Sequence, residues 1–425
     1  MSDDSRAIVP VGQRGVVASV SRQIAITEKV LGRIQSVQNL LDVFNVPADG
    51  TFEEAVQRVR PDGLITIAAG RYVLDVGITI SKPLRIMGAG RDLSVIESSV
   101  KGTILSVETD GLFAMEDVGV LRAGEQTGNL LLISAREVVI KFCAVTGNSV
   151  HDEYNNLLSG IRVGSCTAVL VEDTIVTRCD FGIVVGKCPE IKLQRNRCEK
   201  NLRPGILFRD SATGTAENNI CSRNKHTGIL IEEQSEAILI GNRCEENEVE
   251  GITYWNSTGI AENNICNRNR WWGIGITHQS KVNLIGNVCS RNESDGIFLS
   301  KSKADLNGNH CEENERSGIH FSECAAGSAE NNICSRNKSN GITVANVQSK
   351  LVWHDIIAQA MEKVGKVTNL SKVNLFGNRC EENCNIGIVY SDSTCGTAEN
   401  NHCVGNKSGS IYVAPSASPV LKNNL

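Results

Sequence analysis

Asn242-Arg243-Cys244-Glu245-Glu246-Asn247, followed four residues on by Gly251-Ile252, is the stretch whose reading decides the fold. The phrase Asn-x-Cys-x-x-Asn begins at Asn196, Asn219, Asn242, Asn264, Asn287, Asn309, Asn332, Asn378 and Asn401, and in all but the last copy Gly-Ile follows at the same distance. Neighbouring copies lie 22 or 23 residues apart, and the single gap of 46 reads as two steps of 23. So strict a period marks equal units stacked in one dimension, each burying its apolar face against its neighbours.

One unit can be read residue by residue. Ala237-Ile238-Leu239-Ile240-Gly241 is a strand and Arg243-Cys244 a second, shorter one. Glu245 to Glu250 form a turn, and Gly251-Ile252 opens a third strand. Three short strands per coil, parallel from coil to coil, predict an all-β chain, a single right-handed parallel β-helix with three short sheets and about 22–23 residues per coil. Alternation then sorts the side chains. The residue two past the Gly of each Gly-Ile points out and the residue three past points in. The inward series is Val185, Phe208, Ile231, Tyr254, Ile276, Leu299, Phe321, Val344 and Tyr390, all large. Three residues before each first Asn, a second series runs Leu193, Ala216, Leu239, Ala261, Leu284, Leu306, Ala329, Leu375, Ala398. Large and small nearly alternate, which suggests a paired unit of about 45 residues with one slip at Leu284–Leu306. Stacked Asn amides can hydrogen-bond along the coil axis, and Asn tolerates a left-handed bend. The Cys column, Cys198 through Cys403, falls inward, where Cys is a small buried hydrophobe. A line of thiols does not form a tetrahedron, so neither a metal nor a cofactor is implied.

The rest of the chain is less regular. Residues 1–18 are polar and read as a flexible N-terminus. Residues 19–60 form a helical cap segment. Within it, Val30, Ile34, Val37, Leu41 and Phe44 make an apolar seam over 20–44, and Thr51 with Glu54 makes a capping box for a second helix. Residues 12–44 could alternatively attach the solenoid to a larger assembly. The β-helix runs from 61 to 413, with irregular coils to about 180, regular coils over 182–412, and a degenerate, helical coil near 351–370. Residues 414–425 are rich in Pro and Ser and read as a loose tail. A net charge of -5 argues against nucleic acid as partner. No apolar run approaches the roughly 20 residues of a membrane helix. The first residues lack the order of a secretory signal, so the cysteines are expected to be reduced and the chain cytoplasmic.

The repeats resemble the right-handed β-helix superfamily, the pectate-lyase-like fold with its Asn ladder, over about residues 50–412. That superfamily includes polysaccharide lyases, galacturonases, uronan epimerases, phage tailspikes and non-catalytic binding modules, so the resemblance is specific for fold and weak for activity. The galacturonase signatures are absent. The epimerase Asp-Pro-His has its nearest counterpart in His151-Asp152-Glu153-Tyr154, and the lyase Trp-Ile-Asp-His only a scrambled echo in Trp353-His354-Asp355. These absences make a non-catalytic scaffold presenting an outer-sheet groove to a glycan or protein the leading expectation. A lyase, hydrolase or epimerase in the same groove is the alternative.

The groove is the outer face of the strands opened by Gly-Ile. Arg209, Asp210, Glu232, Glu233, Trp255, Asn256 and His278 fall on four adjacent coils, with Lys301 on the next and His226, Trp271 and Trp272 in the preceding turns. Trp faces stack on sugar rings, and carboxylates bond hydroxyls or act as acid and base. For an enzyme the catalytic set is Arg209, Asp210, Glu232, Glu233 and His278. For a binding protein the contacts are Trp255, Asn256, Trp271, Trp272, His226 and Lys301. The plainer reading is a solvated face, with each Trp folded back on the strands. Trp353, His354 and Asp355 mark a possible docking helix in the degenerate coil, and Asp355 stands where its ladder Asn belongs. His151 to Tyr154, with Asp173, Arg178 and Asp180, are either a third site or a polar turn.

Overall fold

The computed structural model describes residues 43–150, 157–345 and 371–425. The chain winds as a right-handed parallel β-solenoid of about 15 coils with three sheets and one short helix. Every strand pairs in parallel with its counterpart one coil away, as in Ile206↔Ile229↔Ile252↔Ile274↔Ile297↔Ile319↔Ile342↔Ile388 on the Gly-Ile sheet. In the early coils Leu105–Glu116 and Leu131–Lys141 are long strands that serve two faces in turn. The helix Phe52–Arg58 starts at the expected capping box, with Thr51 accepting from the Glu54 amide and the Glu54 carboxylate accepting from the Thr51 amide.

Two Asn columns, not one, run through the stack. The Nδ2 of Asn264 donates to Asn287 Oδ1 at 3.0 Å and to Leu239 O at 2.9 Å, while its Oδ1 accepts from the amide and Nδ2 of Asn242 at 2.9 Å each. The second Asn of each phrase repeats this, as in Asn247→Asn269→Asn292. All the ladder's buried amide valences are thereby filled, the condition for placing amides in a core. The Cys column is buried, and every one of the 16 cysteines is a free thiol.

All nine inward residues of the Gly-Ile strands are buried, as are the nine of the second series. Their alternation has a cause inside each coil. Coils with an aromatic at the first position, Phe208, Tyr254, Phe321 and Tyr390, carry Gly and Ala later, at Gly214 and Ala216, Gly259 and Ala261, Gly327 and Ala329, Gly396 and Ala398. Coils with an aliphatic there carry Ala, Val or Ile and then Leu, as in Ile231, Ala237 and Leu239 or Val185, Ile191 and Leu193. A Cβ on Gly259 would sit 2.8 Å from the Tyr254 ring and 1.9 Å from Ala237 O. The cross-section is one volume filled in two ways, as dense packing requires. The expected paired unit is therefore size compensation within single coils, and the slip at Leu284–Leu306 is two aliphatic coils, Ile276 and Leu299, in succession.

Three expectations are corrected. The 46-residue step is one coil, not two. Asn332 donates directly to Asn378 Oδ1 at 3.0 Å, Cys334 pairs with Cys380, and Val344 with Tyr390. The extra residues leave after Val344 and return at Lys372, where the preceding coil passes directly from Phe321 to Ala326. Trp353, His354 and Asp355, and the helix expected around them, lie outside the described residues; the ladder passes directly from Asn332 to Asn378. The seam over 20–44 does not reach Phe44, because Val43–Val46 is a strand paired with Gly63–Ile67 that buries Phe44 and Val46 in alternation. Residues 12–42 lie outside the description. The C-terminal residues continue the solenoid: Ser418–Lys422 pairs with Cys395–Glu399, and Asn424 accepts from Asn401 at 2.9 Å. Pro419 is tolerated because that strand pairs on one side only.

Candidate functional site

Side chains on the outer face of the Gly-Ile sheet fall into columns. Four past each Gly stand Arg209, Glu232, Trp255, Thr277 and Ser300, and the next residue lies at the bend. Asp210, Glu233, Asn256, His278 and Lys301 all adopt left-handed backbone there, φ 45–55°. These residues turn the chain as well as facing solvent, and the sequence reading placed them simply on the sheet.

Arg209 organises the acidic group. Its guanidinium lies 2.6 Å from Glu233, 3.4 Å from Asp210 and 3.9 Å from Glu232. Burial raises the Glu232 carboxyl above its ordinary pKa against the pull of Arg209. One coil on, Trp255 stacks on His278 with ring centroids 3.7 Å apart and planes at 10°. Burial, and then Lys301, lowers the His278 pKa, so the stacked imidazole is neutral at physiological pH. Thr277 Oγ1 and His278 Nδ1 are buried and make no hydrogen bond among the described residues. Lys301 lies 3.6 Å from Glu323, which also accepts from Ser300.

His226, Trp271 and Trp272 belong to the opposite end of the same strands, five or six residues from the Trp255 column, or about 16–20 Å at 3.3 Å per residue. There Trp272 folds back over Gly275 and stacks on Phe298 at 4.1 Å, and Trp271 meets Trp272 edge-on. His226 Nδ1 is 3.1 Å from Thr227 Oγ1, which donates to the buried Glu250 at 2.7 Å. Burial, helped by Arg203, depresses the His226 pKa to about 4, and burial raises that of Glu250. The sequence-selected residues thus form two clusters. The second contains a pair that sequence reading missed, Asp295 and His320, whose side chains meet at 3.4 Å. His320 is two past its Gly, an outward position that reading only the next two columns passes over. Residues 151–154 lie outside the description, while Asp173 pairs with Arg195 and Asp180 with Arg203. Among the described residues no three His, Cys, Asp or Glu side chains converge as metal ligands, and no helix is long and apolar enough to cross a membrane.

Several solved structures share this architecture. The catalytic unit of the GH87 α-1,3-glucanase of Streptomyces thermodiastaticus superposes with a TM-score of 0.52 at 13% identity over 88% of this chain, which spans 65% of that unit. The periplasmic alginate epimerase AlgG gives 0.52 at 15% identity, over 91% of this chain and 83% of its own. The A-module of the Azotobacter vinelandii mannuronan C-5 epimerase AlgE4 gives 0.52 at 12% identity, over 89% and 100%. At such identities the likeness is one of fold. No curated protein sequence matches. The family description "right handed beta helix region" matches residues 106–265 and 256–356, more than half the chain. A solenoid with this coil, this ladder and this match belongs to the right-handed β-helix family.

Proposed function

We propose that the outer face of the Gly-Ile sheet around Trp255 and His278 binds a glycan, and that the Arg209 carboxylates position this ligand without acid–base chemistry of their own. The observation that carries the reading is the Trp255–His278 stack on an outward face, one coil from the carboxylate group that Arg209 gathers. A sugar ring packs against such an aromatic face while the carboxylates accept from its hydroxyls. Asp210, Glu232 and Glu233 share one guanidinium, which favours holding over proton transfer. Fold relatives that act on α-1,3-glucan and mannuronan suggest those polymers as first probes.

A second reading, an enzyme in the same groove, draws on the raised Glu232 carboxyl, the direction a general acid requires. Binding of mannuronan and α-1,3-glucan oligosaccharides, measured by calorimetry with product analysis, separates the two. Wild type should bind one of them without releasing product, and Trp255→Ala should bind at least tenfold more weakly. Turnover by wild type that disappears in Glu232→Gln establishes the enzyme instead. An absence of glycan binding across the panel leaves a protein partner for this face.

A further inference from the structure

Asp295 occupies the position just before the Gly of its coil, where other coils place Thr227, Trp272, Ser317 and Asn340. Its side chain is only 2% exposed. A carboxylate so buried needs donors. Oδ1 accepts from the Ser317 amide at 2.9 Å, and Oδ2 faces His320 Nδ1 at 3.4 Å. The imidazole rises from the outer face of Ile319–Ser322, with Phe298 edge-on at 5.4 Å on one side and Thr343 in register on the other. Thr343 Oγ1 is tied to Ser317 Oγ and to Asn340 Nδ2, each at 3.0 Å. Groups on three successive coils therefore fix this ring. A carboxylate facing Nδ1 places the proton there and leaves the Nε2 lone pair outward. His320 is 24% exposed, and among the described residues Nε2 has no hydrogen-bond partner.

We infer that His320, oriented by the buried Asp295, accepts a hydrogen bond through Nε2 from a sugar hydroxyl of the glycan held at Trp255 and His278. The inference rests on the glycan reading and goes beyond it, because it extends the binding surface along the same sheet to three coils from the Trp255 stack, about 14 Å along the axis. The hydroxyl donates and the Nε2 lone pair accepts, with no covalent bond made or broken. His320 is then a ligand-binding residue and Asp295 a positioning residue. Edge-on packing of the ring against Phe298 alone would need no carboxylate behind it.

Two measurements on the full chain test this. Imidazole 15N NMR should show neutral His320 as one tautomer protonated on Nδ1, and Asp295→Asn should mix the tautomers. Acylation of wild-type His320 by diethyl pyrocarbonate should slow at least tenfold with the mannuronan or α-1,3-glucan oligosaccharide that binds through Trp255; this arm needs no variant to fold. A tautomer indifferent to Asp295→Asn overturns the orientation. Unchanged acylation beneath an oligosaccharide that does bind overturns the inference and spares the groove. If neither oligosaccharide binds, the groove reading fails in its own assay and the hydrogen-bonding role of His320 falls with it.

Discussion

Replacing Asn378 by Ala tests whether residues 46 apart in the chain are neighbours in one ladder. The Asn378 side chain donates to Ala329 O at 2.8 Å and Asn401 Oδ1 at 2.9 Å, and accepts from the amide and Nδ2 of Asn332 at 3.0 Å each. Truncation leaves the Asn332 amide, one Asn332 Nδ2 hydrogen and Ala329 O in the core without these partners. At about 1–3 kcal/mol for each orphan, less what relaxation recovers, the cost should be about 3–6 kcal/mol. Asn332→Ala in the same background removes one of the groups that Asn378→Ala orphans, the Asn332 Nδ2, so the two should couple by about 1–3 kcal/mol. Urea unfolding of wild type, both single variants and the double variant measures that term, with hydrogen exchange at Cys334 and Cys380 reporting locally, because a solenoid can open coil by coil. Coupling below about 0.3 kcal/mol would mean that a further coil separates the two Asn and would refute the assignment. Deleting residues 348–370 should in turn preserve the fold. The connection from Val344 to Lys372 shrinks from 27 residues to the four that join Phe321 to Ala326, and Ser371, already 3.1 Å from Ala345 O, keeps its place in the column of Ser257, Ser280 and Ser302. At about 0.6 kcal/mol per doubling of loop length, closure should become easier by about 1.7 kcal/mol.

Size compensation predicts that Ala329→Leu overpacks the Phe321 coil by about 1–3 kcal/mol, and that adding Phe321→Leu recovers at least 1 kcal/mol in a thermal-unfolding cycle. Tyr254→Phe removes a hydroxyl 3.1 Å from Ala237 O and 3.0 Å from Ile260 O and should cost about 1 kcal/mol by the same assay. His226, with its folded pKa held down to about 4, contributes stability that is whole above the unfolded value of 6.5 and is lost as pH falls through that window. Between those limits wild type should lose stability more steeply than His226→Gln, by up to roughly 1.4 kcal/mol per pH unit, and parallel curves would show that His226 titrates normally.

Much of the fold was legible because a repeat states its own register. Once Gly-Ile marks a strand start, period-two alternation sorts Val185 through Tyr390 inward, and all are buried. The 46-residue step misled for an arithmetical reason: the inserted length equals one period, so spacing alone cannot tell an insertion from a coil. The tail misled because its Pro and Ser composition describes loops, whereas Ser418–Lys422 has a strand beneath it to pair with. At the site, alternation placed Trp255 and Arg209 correctly on the outer face. It did not show that the following column bends into left-handed backbone, nor that Trp272 lies back on Phe298.

What the sequence determined by itself is whatever repeats: coil length, the inward and outward columns, and the ladders that hold them. Stacking imposes the same geometry on every copy, and one copy can be checked against the next. Tertiary structure alone decided which residues meet across coils. Arg209 faces three carboxylates, His278 lies under Trp255, and Asp295 reaches from a turn to His320 on the following coil. These partners are set by the directions in which side chains leave the bends, and the bends are where the period-two rule ends.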